Sequence, residues 1–170
     1  KIIHKECFKG CSSLQELTIP ASVTEIKTGA FKDCTSLKII NFPSGITTLN
    51  SSLFEGCTSL DKISIPESVT KINSSVFSGC IKLESITLPE KLTTLGSGAF
   101  YKCSSLKAIK IPDGVTKINS MTFSECTNLT SVTFSEDVTS IDSESFYNTK
   151  LTSFTIPKNV KSICSGTFQE

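Results

Sequence analysis

Eight cysteines in 170 residues are the densest reactive chemistry in this sequence, and thiols can cross-link, bind metal or act as nucleophiles. Six of them, Cys11, Cys34, Cys57, Cys80, Cys103 and Cys126, recur every 23 residues. So strict a period puts one thiol at one register of each unit of a stack, with all the side chains pointing the same way. Neighbouring Cα atoms in such a column come close enough for a disulfide, but parallel side chains make poor disulfide geometry. Parallel side chains also diverge from any common point, and no C-x-x-C occurs, so no metal site is expected. The column reads as a buried ladder of free thiols serving as small apolar groups. Cys7 and Cys164 fall outside it, in opposite terminal units. His4 is the only histidine, so a Cys–His nucleophilic pair would need it with Cys7 or Cys11. Its column elsewhere holds Lys27, Asn50, Asn73, Gly96, Asn119 and Asp142, the pattern of a plain surface position. No phosphate-binding glycine loop is present, since Gly96-Ser97-Gly98 belongs to the unit's own turn. Neither catalysis nor a cofactor is expected.

Two further constellations remain. Glu67, Glu90, Asp113 and Glu136 stand at one place in four successive units. Stacked at strand spacing they make a like-charge row about 5 Å apart, which costs energy unless neutralised. This acidic edge reads mainly as solvated surface, with Lys91 and Lys158 nearby, or as a place for a basic partner or a weakly held divalent cation. Asn50, Asn73 and Asn128 begin N-x-[ST] triplets, which arise easily by chance in a chain so rich in Ser and Thr.

The elements that position these residues follow from the same period. Phe8, Phe31, Phe54, Phe77, Phe100, Phe123 and Phe146 are 23 residues apart, and Phe168 follows after 22, with one residue lost near Asn148. Six residues after each Phe stands Leu14, Leu37, Leu60, Leu83, Leu106, Leu129 or Leu151. Each Leu opens a segment such as Leu14-Gln15-Glu16-Leu17-Thr18-Ile19-Pro20, apolar at the first, fourth and sixth places. The alternation reads as a short strand with one buried face. Proline closes it in six of seven units, Ser135 being the exception, and marks where the chain turns. A second apolar pair follows, as in Val23 with Ile26 or Val69 with Ile72, and small residues then lead back to Phe. One unit cannot bury five or six apolar side chains alone, so the units must stack.

The order Leu-x-x-Ile-x-Ile-Pro-x-x-Val-Thr-x-Ile-x-x-x-Ala-Phe-x-x-Cys closely resembles the BspA-like, or Treponema pallidum-type, leucine-rich repeats, from Ile3 to Phe168. The resemblance implies a mostly β repeat solenoid, a leucine-rich-repeat right-handed superhelix. It would carry a parallel sheet on its concave face and short extended segments opposite. The whole chain, 1–170, reads as one such domain of about seven repeats and as a piece of a longer array. The family also implies cell-surface or secreted proteins of bacteria and some protists, associated with adhesion to host proteins or cells. Ser135, the gap near Asn148 and Lys161 in the Thr column depart from the motif, all towards the C-terminal end.

A formal net charge of +1 with interspersed signs gives no footprint for nucleic acid, and no apolar run reaches the roughly 18 residues a membrane span needs. Recognition is therefore expected on the outward columns of the strand: Glu16, Thr18, Lys38, Asn41, Lys62, Ser64, Glu84, Thr87, Lys107, Lys110 and Thr133. Such a polar face suits a host or extracellular-matrix protein held by many modest contacts. The alternative reading is a structural spacer projecting another domain from the cell surface. No polar cap covers either end, so end-to-end association is also expected.

Overall fold

The computed structural model describes residues 1–169 and shows a parallel β-solenoid of about seven turns, with no helix among the described residues. Two short strand ladders run along it. The Leu segments supply β2 (Glu16–Thr18), β4 (Ile39–Asn41), β8 (Ala108–Lys110) and β10 (Ser131–Thr133). The segments after the proline supply β1 (Ile2–Ile3), β3 (Glu25–Ile26), β5 (Thr48–Leu49), β6 (Lys71–Ile72), β7 (Thr94–Leu95), β9 (Lys117–Ile118), β11 (Ser140–Ile141) and β12 (Ser162–Ile163). All pairs are parallel and join residues one repeat apart, as in Leu17 opposite Ile40 and Ile72 opposite Leu95.

The balance between the ladders differs from the sequence expectation. The Leu face pairs only as β2 with β4 and β8 with β10, whereas the second face pairs as β1 with β3, β5–β6–β7 and β9–β11–β12. Among the described residues the only uninterrupted main-chain ladder lies in the turn that carries the repeat phenylalanine. There three main-chain bonds join each coil to the next: for example Gly29 N–H to Ser51 O, Phe31 N–H to Leu53 O and Asp33 N–H to Glu55 O, at 2.7–3.1 Å. The same triplet recurs from Glu6, Phe8 and Gly10 through Glu144, Phe146 and Asn148. The first and third donors of each triplet are held at positive φ, between 52° and 74°. That conformation turns the N–H along the solenoid axis. Glycine takes it freely, but Glu6, Asp33, Ser52, Ser75, Lys102, Met121, Glu125, Glu144 and Asn148 adopt it too, at a cost of about 1 kcal/mol each.

Beneath this turn the phenylalanines stack from Phe8 to Phe168, with ring centroids 5.3–5.7 Å apart and planes within 19°. Leu, Ile and Val of both ladders close the core around them. The end coils have one stacking neighbour instead of two, so Cys11, Ile163 and Phe168 are exposed although their columns are buried elsewhere.

Gaps in the Leu ladder have a side-chain cause at two junctions. No main-chain bond joins residues 37–43 to 60–66 or 129–135 to 151–157. In the coil before each gap the last inward residue is phenylalanine, and its ring meets the next coil's stack edge-on: Phe42 against Phe54 and Phe134 against Phe146, both at 5.9 Å. An aliphatic side chain at that place would not reach so far. Nothing in the structure explains the third gap, between residues 60–66 and 83–89.

Two substitutions test this fold. Ser145 lies in a buried column shared with Ala30 and Ala99, and its hydroxyl has no hydrogen-bond partner. Ser145→Ala should raise unfolding stability by about 1 kcal/mol or more, since an unpaired buried hydroxyl costs ~1–3 kcal/mol. Gly96 occupies a column that is Asn in three other coils, but a Cβ there would lie 2.5 Å from Asn73 C and Ser74 N. Gly96→Asn should therefore lower stability by ~1–3 kcal/mol although it restores the repeat residue. Urea titration of both variants measures the two signs.

Candidate functional site

The thiol column is structural. Cys34, Cys57, Cys80, Cys103 and Cys126 are buried and unbridged. Each thiol donates to the carbonyl of the phenylalanine in the preceding coil, from Cys34 Sγ to Phe8 O at 3.0 Å to Cys80 Sγ to Phe54 O at 3.3 Å. The same carbonyl also accepts the main-chain N–H three residues on. The small apolar role expected from spacing is thus joined by a directional bond that a period of Cys alone does not reveal. Loss of solvent on burial pushes Cys34 up to about 11 and Cys57 and Cys126 up to about 12. Cys80 and Cys103 rise well above the usual thiol range for the same reason, and neighbouring thiols add to the effect. Cys7, Cys11 and Cys164 are exposed. Cys7 N–H donates to His4 O, a turn contact that leaves the imidazole unengaged with the thiol. Among the described residues no three His, Cys, Asp or Glu side chains converge as metal ligands.

The acidic edge is exposed in all four coils, at Glu67, Glu90, Asp113 and Glu136. Its carboxylates are used in part by the solenoid itself. Glu67 Oε2 accepts Glu90 N–H at 3.4 Å, Glu136 Oε2 accepts Lys158 N–H at 3.1 Å, and Glu90 pairs with Lys110 at 3.5 Å. Neutralisation thus comes from Lys110 on the strand face, not from the ammonium of Lys91 or Lys158. All three sequon asparagines also serve the stack. Asn50 Nδ2 donates to Ile26 O at 2.7 Å, and Asn73 Nδ2 to Asn50 Oδ1 at 3.3 Å. Asn50 thereby fills a break in the second ladder, taking the acceptor that a main-chain N–H uses in other coils, as Asn73 N–H does with Leu49 O. Asn128 is exposed.

The structure gathers the outward strand residues into one surface. Glu16, Thr18, Lys38, Asn41, Lys62, Ser64, Glu84, Thr87, Lys107, Lys110 and Thr133 are all exposed, while the residues alternating with them line the core. The charges on this face are not equivalent. Lys107 pairs with Glu84 at 2.7 Å, a bond that holds the Glu84 carboxyl below its ordinary range, and Lys110 pairs with Glu90. Among the described residues Lys38 and Lys62 have no acidic partner within 4.0 Å. Between them lies Ile39, an outward isoleucine 49% exposed. The cavities of the molecule are shallow grooves between coils. One of them, about 580 Å³, is bounded by Lys38–Asn41 and Asp61–Ser64. Spacing identified these residues as outward but not which lysines stay unpaired, because pairing depends on where flexible side chains reach.

A sequence model of the BspA type leucine rich repeat region matches residues 1–77 and 48–170, in six copies. The chain belongs to this family. Among solved structures, a leucine-rich repeat protein of Bacteroides ovatus is 27% identical and superposes with a TM-score of 0.78 over 96% of this chain and 48% of its own. The Treponema pallidum leucine-rich repeat protein is 31% identical, with a TM-score of 0.79 over 86% of this chain and 69% of that one. A leucine rich cell surface protein of Faecalibacterium prausnitzii is 27% identical, with a TM-score of 0.66 over 99% and 60%. The BspA-type chain described here spans about half the length of the Bacteroides ovatus protein. No functionally curated protein matches it significantly.

Thiol chemistry checks the burial pattern. Of the eight cysteines only Cys7, Cys11 and Cys164 should react with a thiol reagent at pH 8 in the native state, and all eight after unfolding. An unfolded thiol ionises near pH 8.5, while the buried ones stay protonated up to about 11 to 12. Their contribution to stability is therefore complete below about pH 8.5 and lost as pH rises through that window. Replacing Cys80 and Cys103 by Ala should make the alkaline fall in melting temperature shallower.

Proposed function

We propose that this BspA-type segment is a non-catalytic protein-binding module that works outside the cell. It adheres to a host or extracellular-matrix protein through its Leu strand face. The observation that carries this reading is the strand face itself, where polar and charged side chains stand exposed from coil to coil over a rigid, fully packed core. Stacking at a fixed period fixes the spacing of those side chains, which suits a partner that makes many small contacts. Trp is absent from the chain, and Tyr101 and Tyr147 lie beside the repeat phenylalanines, away from the strand face. Binding energy is then spread over polar contacts with few aromatic anchors, so affinity per domain is modest and grows with copy number. The surface setting is supported by the Faecalibacterium prausnitzii relative, described as a cell surface protein. Among the described residues no helix is long and apolar enough to cross a membrane.

Solid-phase binding to a panel of extracellular-matrix proteins tests the reading. Reversing Lys38, Lys62, Lys107 and Lys110 to Glu on the strand face should weaken binding about tenfold or more, ~1.4 kcal/mol. Reversing Lys71, Lys117 and Lys161 on the opposite ladder should change it little. Equal effects from the two sets, or no matrix binding at all, would point to the spacer.

A further inference from the structure

We propose that the open junction between residues 38–44 and 61–68 is a docking groove for a short extended peptide of a protein partner, one carrying acidic residues. This rests on the protein-binding reading above and names the partner's chemistry. Three features of the junction support it.

The first is main-chain valence. Ile39 N–H donates to Gln15 O and Asn41 O accepts from Ile19 N–H, so residues 39 and 41 spend their main-chain groups on β2. In a parallel ladder alternate residues face opposite edges, which leaves the N–H and C=O of Ile40 directed at the next coil. No bond from residues 60–66 meets them. An unpaired strand edge of this kind accepts an extended chain, with main-chain bonds supplying affinity and alternate side chains supplying specificity.

The second is room. The 580 Å³ cavity and a neighbouring one of about 360 Å³ share Ile40, Asn41 and Ser64, so they form one trough along the strand direction. A stretch as long as residues 38–44 runs roughly 20 Å at strand rise, enough for about six peptide residues. Phe42 lines the trough and, by reaching under the next coil to Phe54, keeps it open.

The third is charge. Lys107 and Lys110 are already committed to Glu84 and Glu90, so the uncommitted positive charge of the strand face lies at Lys38 and Lys62, on either side of the exposed Ile39. Glu67 at the far end confines the peptide's acidic residues to the lysine end, where Lys38 and Lys62 outnumber Asp61. A second junction provides an internal contrast. The groove between residues 131–136 and 153–157 opens behind Phe134 in the same way, but encloses about 270 Å³ and has Glu136 and no lysine on its walls.

The test is a fluorescence-anisotropy titration of the full chain with a labelled alternating glutamate–valine hexapeptide and with its lysine–valine counterpart, the site being mapped by backbone NMR shifts. The glutamate peptide should bind with shifts centred on Ile40 and Ile63. Lys38→Glu with Lys62→Glu should weaken it about tenfold, and Lys71→Glu with Lys117→Glu on the opposite ladder should change it less than about twofold. Equal binding of the lysine peptide, no binding up to about millimolar, or shifts centred on the groove at Thr133 would overturn the proposal. Matrix-protein binding that survives the Lys38 and Lys62 reversals but is lost on reversing Lys107 and Lys110 would also overturn it, while leaving the strand-face reading in place.

Discussion

Each coil is joined to the next by three main-chain hydrogen bonds at the phenylalanine turn, and among the described residues no other main-chain contact recurs at every junction. It imposes two demands on the sequence. The donors at its two ends must stand at positive φ, and the residue between them must send its side chain inward, where the phenylalanines form a continuous stack. Once the turns are locked, the two strand ladders need only keep their apolar faces covered. That is why both ladders tolerate gaps and the turn does not. Where the second ladder breaks, Asn50 and Asn119 carry an amide to the carbonyl left without a main-chain donor. Where the Leu ladder breaks, the core remains closed because Leu37 and Leu60 stay fully buried.

Much of this was legible in the sequence because burial imprints a residue type on a column. Phe, Leu and Cys each mark one inward position per coil, and their 23-residue recurrence gave the stack, its register and the absence of disulfides. Main-chain bonding leaves no such imprint. The positive-φ positions hold Gly, Glu, Ser, Met, Asp, Lys and Asn in different coils, so neither the turn ladder nor its priority over the strands could be seen. The interruptions in the Leu-face sheet were invisible for the same reason. One signal was present and unread: Phe42 and Phe134 are oversized in a column otherwise filled by Ile or Leu, and each sits before a gap.

The strand face shows a similar division. Which side chains point outward follows from period-two alternation, and every candidate there is exposed. Which of them retain free charge does not follow, since Lys107 and Lys110 find partners in neighbouring coils while Lys38, in the column of Lys107, and Lys62 do not. The acidic row illustrates the converse. Its carboxylates read from the sequence mainly as a solvated like-charge row with Lys91 and Lys158 nearby, yet Glu67 and Glu136 accept main-chain N–H groups of the next coil and Glu90 pairs with Lys110. Stacking brings donors to the acids that a one-dimensional reading places far away.

Native-state amide hydrogen exchange measures the central claim most directly, because it ranks main-chain bonds by the free energy needed to open them. The account predicts that the amides of Phe31, Phe54, Phe77, Phe100 and Phe123 exchange slowest in the molecule. Those of Ile40 and Ile63 should exchange much faster, although Ile40 has a buried side chain. Protection at Ile40 and Ile63 equal to that of the turn amides would contradict it, for the strand face would then hold the coils together as firmly as the turn.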